Sequence, residues 1–356
     1  MQDSTILIRN IFHMLCYAFH VLRQRNYADI EAEDFRHVQD MLAAILARGI
    51  AQQLKQGLYR TYVTYNDAIK TVRGKINLLE TKRLRTQRIP RIDCDYDELS
   101  EDNTLNQILR ATALTLIRST EVGISRKDAL KREILYFNNV SDIDLATVQW
   151  GRLQIHRNNR TYEMLMSICQ MAWMSLLPST SSGDKHFSLF DEESMPRLYE
   201  KFILQYYRQH YPMLHPNDDA IKWDIAMDAD PHMIRMLPGM HSDIVLRYGD
   251  RKLIIDAKYY QSSVVNYMGK QMLHNANLYQ IYTYVKNEDK AHTGKVSGLL
   301  LYARTTEDVP PLMDAVIGGN RISAKALDLN KSFSEISGTL DLIVGEAFDG
   351  ACIRIA

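Results

Sequence analysis

Polar and apolar positions give the two halves of the chain different textures. Near the N-terminus Ile8, Ile11, Leu15, Ala18 and Leu22 recur at helical spacing, so a core-facing helix is predicted over 6–22, and a second over 33–54. The period then falls to two. Aromatic and β-branched residues alternate over 58–65 and again over 91–98, which predicts strands flanking an irregular basic stretch. Helices are predicted over 104–119, with Ser100 and Asp102 as capping groups, over 127–137 and over 160–177, before a flexible Pro-Ser-Thr-Ser-Ser-Gly loop at 178–183. From 194 onward the order is helix (196–210), strands (221–227, 243–248, 251–260), helix (271–286), strands (296–304, 322–329) and a last helix opened by a Ser332/Glu335 capping box. This order predicts an α+β domain over 1–158 followed by an α/β domain over 159–356 with a central mixed sheet.

Composition narrows the function classes. The 356 residues are 46% hydrophobic and 24% charged, which suits about two folded domains and excludes disorder. Forty-three basic and 43 acidic side chains cancel, so any contact with a polyanion has to be local. One local imbalance exists: eight basic residues against Glu80 alone between Lys70 and Arg91, answered by six acids between Asp93 and Asp102. Cys16, Cys94, Cys169 and Cys352 are far apart and suggest neither a zinc site nor a disulfide framework, so a reducing cytoplasm is expected. The first residues do not form a secretory signal, and the longest uncharged run, 164–183, is too short to cross a bilayer; no membrane association is expected.

The segment with most chemical content is 242–260. Two strand-like runs flank Gly249-Asp250, a dipeptide suited to a two-residue hairpin turn. Such a turn sets Tyr248 against Arg251 and, counting outward, Asp243 against Asp256. Opposed carboxylates about 5 Å apart repel by roughly 3 kcal/mol at an effective dielectric of 20, so something has to offset them. The strand period places Ile254, Asp256 and Lys258 on one face, which brings an ammonium to the acid pair. A divalent cation completes such a site. Two carboxylates and a backbone carbonyl, here that of Ala257, are hard ligands suited to Mg²⁺. The lysine is placed to orient or deprotonate an attacking water and to stabilise charge at phosphorus, which is the chemistry of phosphodiester hydrolysis. The rival reading is a solvated strand end with an Asp–Lys ion pair. Glu200 is a candidate further carboxylate for the metal, against a plain surface charge, and Gln280 with Tyr284 one turn on are candidates for the site, against helix packing.

Other chemistries lack their motifs. Gly-Lys pairs at 74, 269 and 294 have neither the earlier glycine nor the following Ser/Thr of a P-loop, and there is no H-E-x-x-H, no G-x-S-x-G and no dinucleotide loop. His274 reads as a polar surface or supporting residue, and the Tyr206-Tyr207 and Tyr259-Tyr260 pairs as core or interface material.

An Asp on one strand, D-x-K on the next and a Gln/Tyr helix after them resemble the PD-(D/E)xK nuclease superfamily. The wider set Ile8-Arg-Asn-Ile-Phe-His-Met-Leu-Cys-Tyr-Ala18, Arg73-Gly-Lys-Ile76, Asp97-Glu-Leu-Ser-Glu-Asp-Asn-Thr-Leu-Asn106, Asp256-Ala-Lys-Tyr-Tyr260 and Asn277-Leu-Tyr-Gln280 resembles the McrC family over about residues 6–345. McrC subunits are the nucleases of McrBC modification-dependent restriction systems. The resemblance implies a PD-(D/E)xK restriction-endonuclease-like second domain in which Asp243, Asp256 and Lys258 bind Mg²⁺ and cut double-stranded DNA carrying 5-methylcytosine. It also implies a partner, a hexameric AAA+ GTPase of the McrB type that binds the GTP, reads the DNA, and takes the N-terminal domain into its pore. Arg73, Lys75, Arg83 and Arg85 are then candidates for the partner contact. Their rivals are contact with a DNA backbone and a solvated face balanced by the acids of 93–102. Ser242 stands where the superfamily pattern has proline. Cutting both strands needs two active sites and hence transient pairing of nuclease domains. The alternative function is a non-cleaving regulator whose nuclease fold docks on and activates an NTPase ring.

Overall fold

A computed structural model of the chain describes residues 5–19, 30, 33, 35–155, 159–176, 194–225, 230–259, 264–267, 270–304, 312–350 and 354–355. In order the elements are α1 (Thr5–Ala18), α2 (Val38–Gln56), β1 (Thr61–Ile69), β2 (Lys75–Ile76), α3 (Leu78–Thr86), β3 (Ile92–Ser100), α4 (Thr104–Arg118), α5 (Ile124–Ile134) and α6 (Arg160–Leu176). There follow α7 (Ser194–His210), β4 (Ala220–Ile221), α8 (Pro231–Ile234), β5 (Met240–His241), β6 (Ile244–Tyr248), β7 (Arg251–Tyr259), β8 (Val264–Tyr267) and β9 (Lys270–Leu273). The chain continues with α9 (Asn275–Glu288), β10 (Val296–Arg304), β11 (Met313–Ile317), β12 (Asn320–Asp328) and α10 (Phe333–Ala347).

Two compact units result, one from residues 1–41 with 178–356 and one from 42–177. The division expected at 158/159 therefore falls elsewhere. The apolar face of α1 packs on α7, which draws the first residues into the unit of the second half, while α6 packs on α4 and stays with the other.

The first unit is built on a five-stranded sheet of order β11-β12-β10-β7-β6. The β7/β10 and β10/β12 pairs are parallel and the β6/β7 and β11/β12 pairs antiparallel, so the sheet is mixed, as predicted. Ile281, Tyr284 and Val285 of α9 cover one face of it, packing with Val245, Ile254, Leu300, Tyr302 and Ile322. On α7 the rings of Phe202 and Tyr206 meet Tyr17 of α1, whose hydroxyl lies 2.8 Å from His210 Nε2. Asn10 donates to the carbonyls of Leu329 (2.7 Å) and Lys331 (2.8 Å), so α1 also secures the turn into α10. That turn carries the predicted capping box, with Ser332 and Glu335 capping each other's backbone N–H.

The second unit holds an antiparallel sheet of order β1-β3-β2 with α4 and α6 packed together. Tyr162 ties them: its hydroxyl donates to Asn106 Oδ1 (2.6 Å) and accepts from the Tyr59 N–H (3.0 Å).

Several elements differ from the sequence pattern. The basic stretch contains α3, which has no apolar period and is held by local groups instead. Asn77 caps it, and Thr81 Oγ1 accepts the Asp93 N–H at 3.0 Å. The cap of α4 is Asn103, because Ser100 and Asp102 are engaged elsewhere, Ser100 with the Asp102 N–H and Asp102 with Ser141. Residues 270–273 pair as β9 and the helix begins at Asn275, with His274 at its N-cap. Of the strand expected over 221–227, Ala220–Ile221 is paired as β4. The expected loop at 178–183, Leu22, Tyr260 and Met227 lie outside the described residues.

Candidate active site

The β6–β7 hairpin turns at Gly249-Asp250 with Gly249 at φ +58°, a left-handed conformation that glycine adopts without steric cost. Its register runs from Tyr248↔Arg251 to Ile244↔Ile255, as the turn predicts. The backbone ladder stops one pair short of Asp243 and Asp256 because the Asp243 carboxylate takes over: its Oδ2 accepts the Ala257 N–H at 2.8 Å. Val245 and Ile254 face the α9 core, so by the strand period Asp243 and Asp256, two residues along their respective strands, share that face.

Asp256 is 1% exposed. A carboxylate this deep is costly unless it is compensated. The Lys258 ammonium lies 2.9 Å from its Oδ2, yet neither oxygen of Asp256 meets a donor at hydrogen-bond geometry. Burial raises the pKa of Asp256, with Lys258 and Asp243 opposing. For Asp243 burial again leads, the Asp256 and Glu200 charges push further upward, and Lys258 and the Ala257 N–H pull back. Two adjoining acids that resist joint ionisation hold either a shared proton or a cation.

Glu200 on α7 borders the pair. Its pKa is raised by burial and by Asp256, while Lys258 and Arg197 lower it. Among the described residues no three His, Cys, Asp or Glu side chains converge on one ion position, so Glu200 stands beside the acids without closing the shell. The chemistry of the donor set still fits a small hard cation: two carboxylates, with the backbone carbonyl of Ala257, the residue after Asp256, as a further oxygen.

Gln280 turns toward its own helix, donating to the Tyr284 hydroxyl at 2.8 Å. The sequence placed Asn277 in the family motif without a role; it donates to the Tyr302 hydroxyl (3.1 Å) and fixes α9 against β10 where Tyr302 pairs with Lys258. Sequence reasoning missed Tyr199, a fully buried ring against Tyr259. Neither contact has a local signal, since the partners are distant in sequence.

The candidate partner residues lie on the second unit. Arg73 pairs with Glu98 and lies 5.5 Å from the centroid of the Tyr96 ring. Gly74 has φ +61°, and a Cβ there would stand 2.3 Å from the Asp95 carbonyl oxygen. Lys75 is opposite Asp95 in the ladder. On α3, Arg83 is 3.7 Å from Glu80 and Arg85 faces solvent. An open cleft of about 610 Å³ near Asn103, Val148 and Arg152 contains none of the residues predicted to be functional.

The family model described as "McrBC 5-methylcytosine restriction system component" matches residues 2–303. The chain belongs to this McrBC family. Asp243, Asp256, Lys258 and the 70–91 stretch all fall inside the matched range. The "Type IV methyl-directed restriction enzyme EcoKMcrBC" of Escherichia coli (strain K12) is a McrBC relative, 28% identical over 304 residues, which are 85% of this chain and 87% of that protein. Among solved structures, a half-complex from the tetradecameric assembly of Thermococcus gammatolerans McrB AAA+ hexamers with bound McrC is similar at a TM-score of 0.49 and 18% identity. It covers 95% of this chain and 75% of that one. The Thermococcus gammatolerans McrBC complex is similar at 0.43 and 21% identity, over 56% of each chain. No helix among the described residues is long and apolar enough to cross a membrane.

Proposed function

We propose that this chain is the nuclease subunit of a modification-dependent restriction complex, with Asp243, Asp256 and Lys258 as its hydrolytic centre. The observation that carries the reading is the acid pair on one face of the β6–β7 hairpin, Asp243 half-buried and Asp256 buried, with the Lys258 ammonium 2.9 Å from Asp256 Oδ2. Asp243, Asp256 and the Ala257 carbonyl would hold a Mg²⁺ ion, with Glu200 as a candidate further carboxylate. Bound there, Mg²⁺ neutralises charge at the phosphorus and acidifies the attacking water. Lys258 orients that water and meets the developing negative charge, while Gln280 helps position the substrate from α9. The Ala257 N–H holds Asp243 Oδ2, which would leave Oδ1 to serve the ion.

Family membership and the methyl-directed restriction enzyme of E. coli support methylated double-stranded DNA as substrate. The same reading assigns GTP hydrolysis to a McrB-type hexameric AAA+ partner, engaged and stimulated by the second unit, in the cytoplasm of a bacterium or archaeon. Two nuclease units pair transiently to cut both strands.

The test is strand scission on methylated and unmethylated duplexes with the partner ring, GTP and Mg²⁺. Cleavage of methylated DNA alone, dependent on Mg²⁺, is expected. GTP turnover without scission on either duplex would show a non-cleaving regulator instead.

A further inference from the structure

Ile254, Asp256 and Lys258 follow one another on one face of β7, and the parallel register with β10 sets Leu300 beside Asp256 and Tyr302 beside Lys258. Residues side by side in a parallel ladder share a face and stand about 4.8 Å apart. Leu300 and Tyr302 are fully buried in the core under α9, so the Lys258 side chain leaves its strand with the Tyr302 ring as its neighbour on β10. On the other side, β6 pairs with β7 no further than Ile255, and the ladder sets no residue of β6 beside the lysine. The ammonium lies toward the acids, 2.9 Å from Asp256 Oδ2.

Asn277, in the first turn of α9, is buried and donates its side-chain amide to the Tyr302 hydroxyl at 3.1 Å. The core does not require this polar pair. A leucine and a phenylalanine would fill much the same space without desolvating an amide and a phenol, and exchanging both partners of a buried hydrogen bond for apolar groups is close to neutral for stability. What the bond adds is position: it ties the tip of the ring to α9 at the strand position next to the lysine. A lysine stem is flexible over four carbons, so its surroundings decide where the ammonium rests.

We infer that the Asn277–Tyr302 hydrogen bond positions Lys258, the tethered ring forming a wall that keeps the ammonium over the acid pair. Both residues are too deeply buried to meet DNA, so they act through the lysine. The inference rests on the proposed function and deepens it: a displaced lysine slows the chemical step and leaves substrate binding as it is.

The experiment uses the full chain with the partner ring, GTP, Mg²⁺ and methylated duplex, and compares Tyr302→Phe, Asn277→Leu/Tyr302→Phe and Lys258→Ala. Tyr302→Phe is expected to cut about tenfold more slowly at an unchanged half-saturating DNA concentration. The double variant is expected to melt close to wild type, to keep its melting shift in Mg²⁺ because the acids are untouched, and to stay as slow as Tyr302→Phe. Recovery of the wild-type rate in the double variant would show a packing role and overturns the inference. A double variant that melts far below wild type shows a pair kept for stability, with the same consequence. If Lys258→Ala is inactive while both ring variants cut at the wild-type rate, the positioning role alone fails. Scission by Lys258→Ala at the wild-type rate refutes the hydrolytic role of the lysine, and the inference falls with it.

Discussion

At the scale of single residues, the acid pair sets function against stability. Both Asp243 and Asp256 have folded pKa values above their unfolded ones, chiefly through burial. The folded state thus holds protons that the unfolded chain releases, and without a cation stability falls as pH rises from about 4 through the raised folded values. On the proposed reading magnesium binds the ionised pair, so a stabilising effect that grows over the same interval is expected. Thermal melts in EDTA and in Mg²⁺ across that range check this, and a Mg²⁺ shift that does not change with pH would contradict it. Replacing Asp256 by Asn removes one of two like charges and keeps the shape. In EDTA at alkaline pH the variant is expected to be as stable as wild type or more so, by about 1 kcal/mol. A drop of several degrees in its melting temperature would show that the buried carboxylate is a structural ion-pair partner of Lys258.

At the scale of elements, two turns are testable. Asp289, at the end of α9, accepts from the Thr293 N–H and hydroxyl, the Gly294 N–H and Asn320 Nδ2. Burial works to raise its pKa, but these hydrogen bonds outweigh burial and hold it at about 2. Its folded value lies below the unfolded one, so its contribution of about 2 kcal/mol is present above pH ~4 and lost as pH falls toward 2. The stability gap between wild type and Asp289→Ala should narrow over that fall, as urea titrations at several pH values would show. Gly74→Ala forces a Cβ onto the Asp95 carbonyl at a left-handed φ, and a loss of about 2 kcal/mol from the second unit is expected in the same titrations.

Much at this scale was legible in the sequence. The Gly249-Asp250 turn and the strand period together determine which residues face each other, and the observed register agrees. The Ser332/Glu335 box was legible because it is local. α3 was not, since its outward residues are leucines and cations without an apolar period and its hold on the sheet runs through Thr81. The last rung of the hairpin was also hidden, because a side chain, Asp243, replaces a backbone acceptor there. Asn10 and Asn277 act on backbone and hydroxyl partners far along the chain, which no periodicity reports.

For the whole molecule, the proposed hydrolytic residues and the basic stretch lie in different compact units. That separation predicts separable defects: changes in the β6–β7 hairpin should abolish scission and spare partner stimulation, while changes on α3 should weaken stimulation and leave the acid pair's Mg²⁺-dependent melting intact. The most direct test of the central claim is strand scission by the complex reconstituted with Asp256→Asn, on methylated duplex with GTP and Mg²⁺. The account predicts no detectable cleavage while GTP turnover matches that of the wild-type complex. Cleavage at the wild-type rate would contradict it.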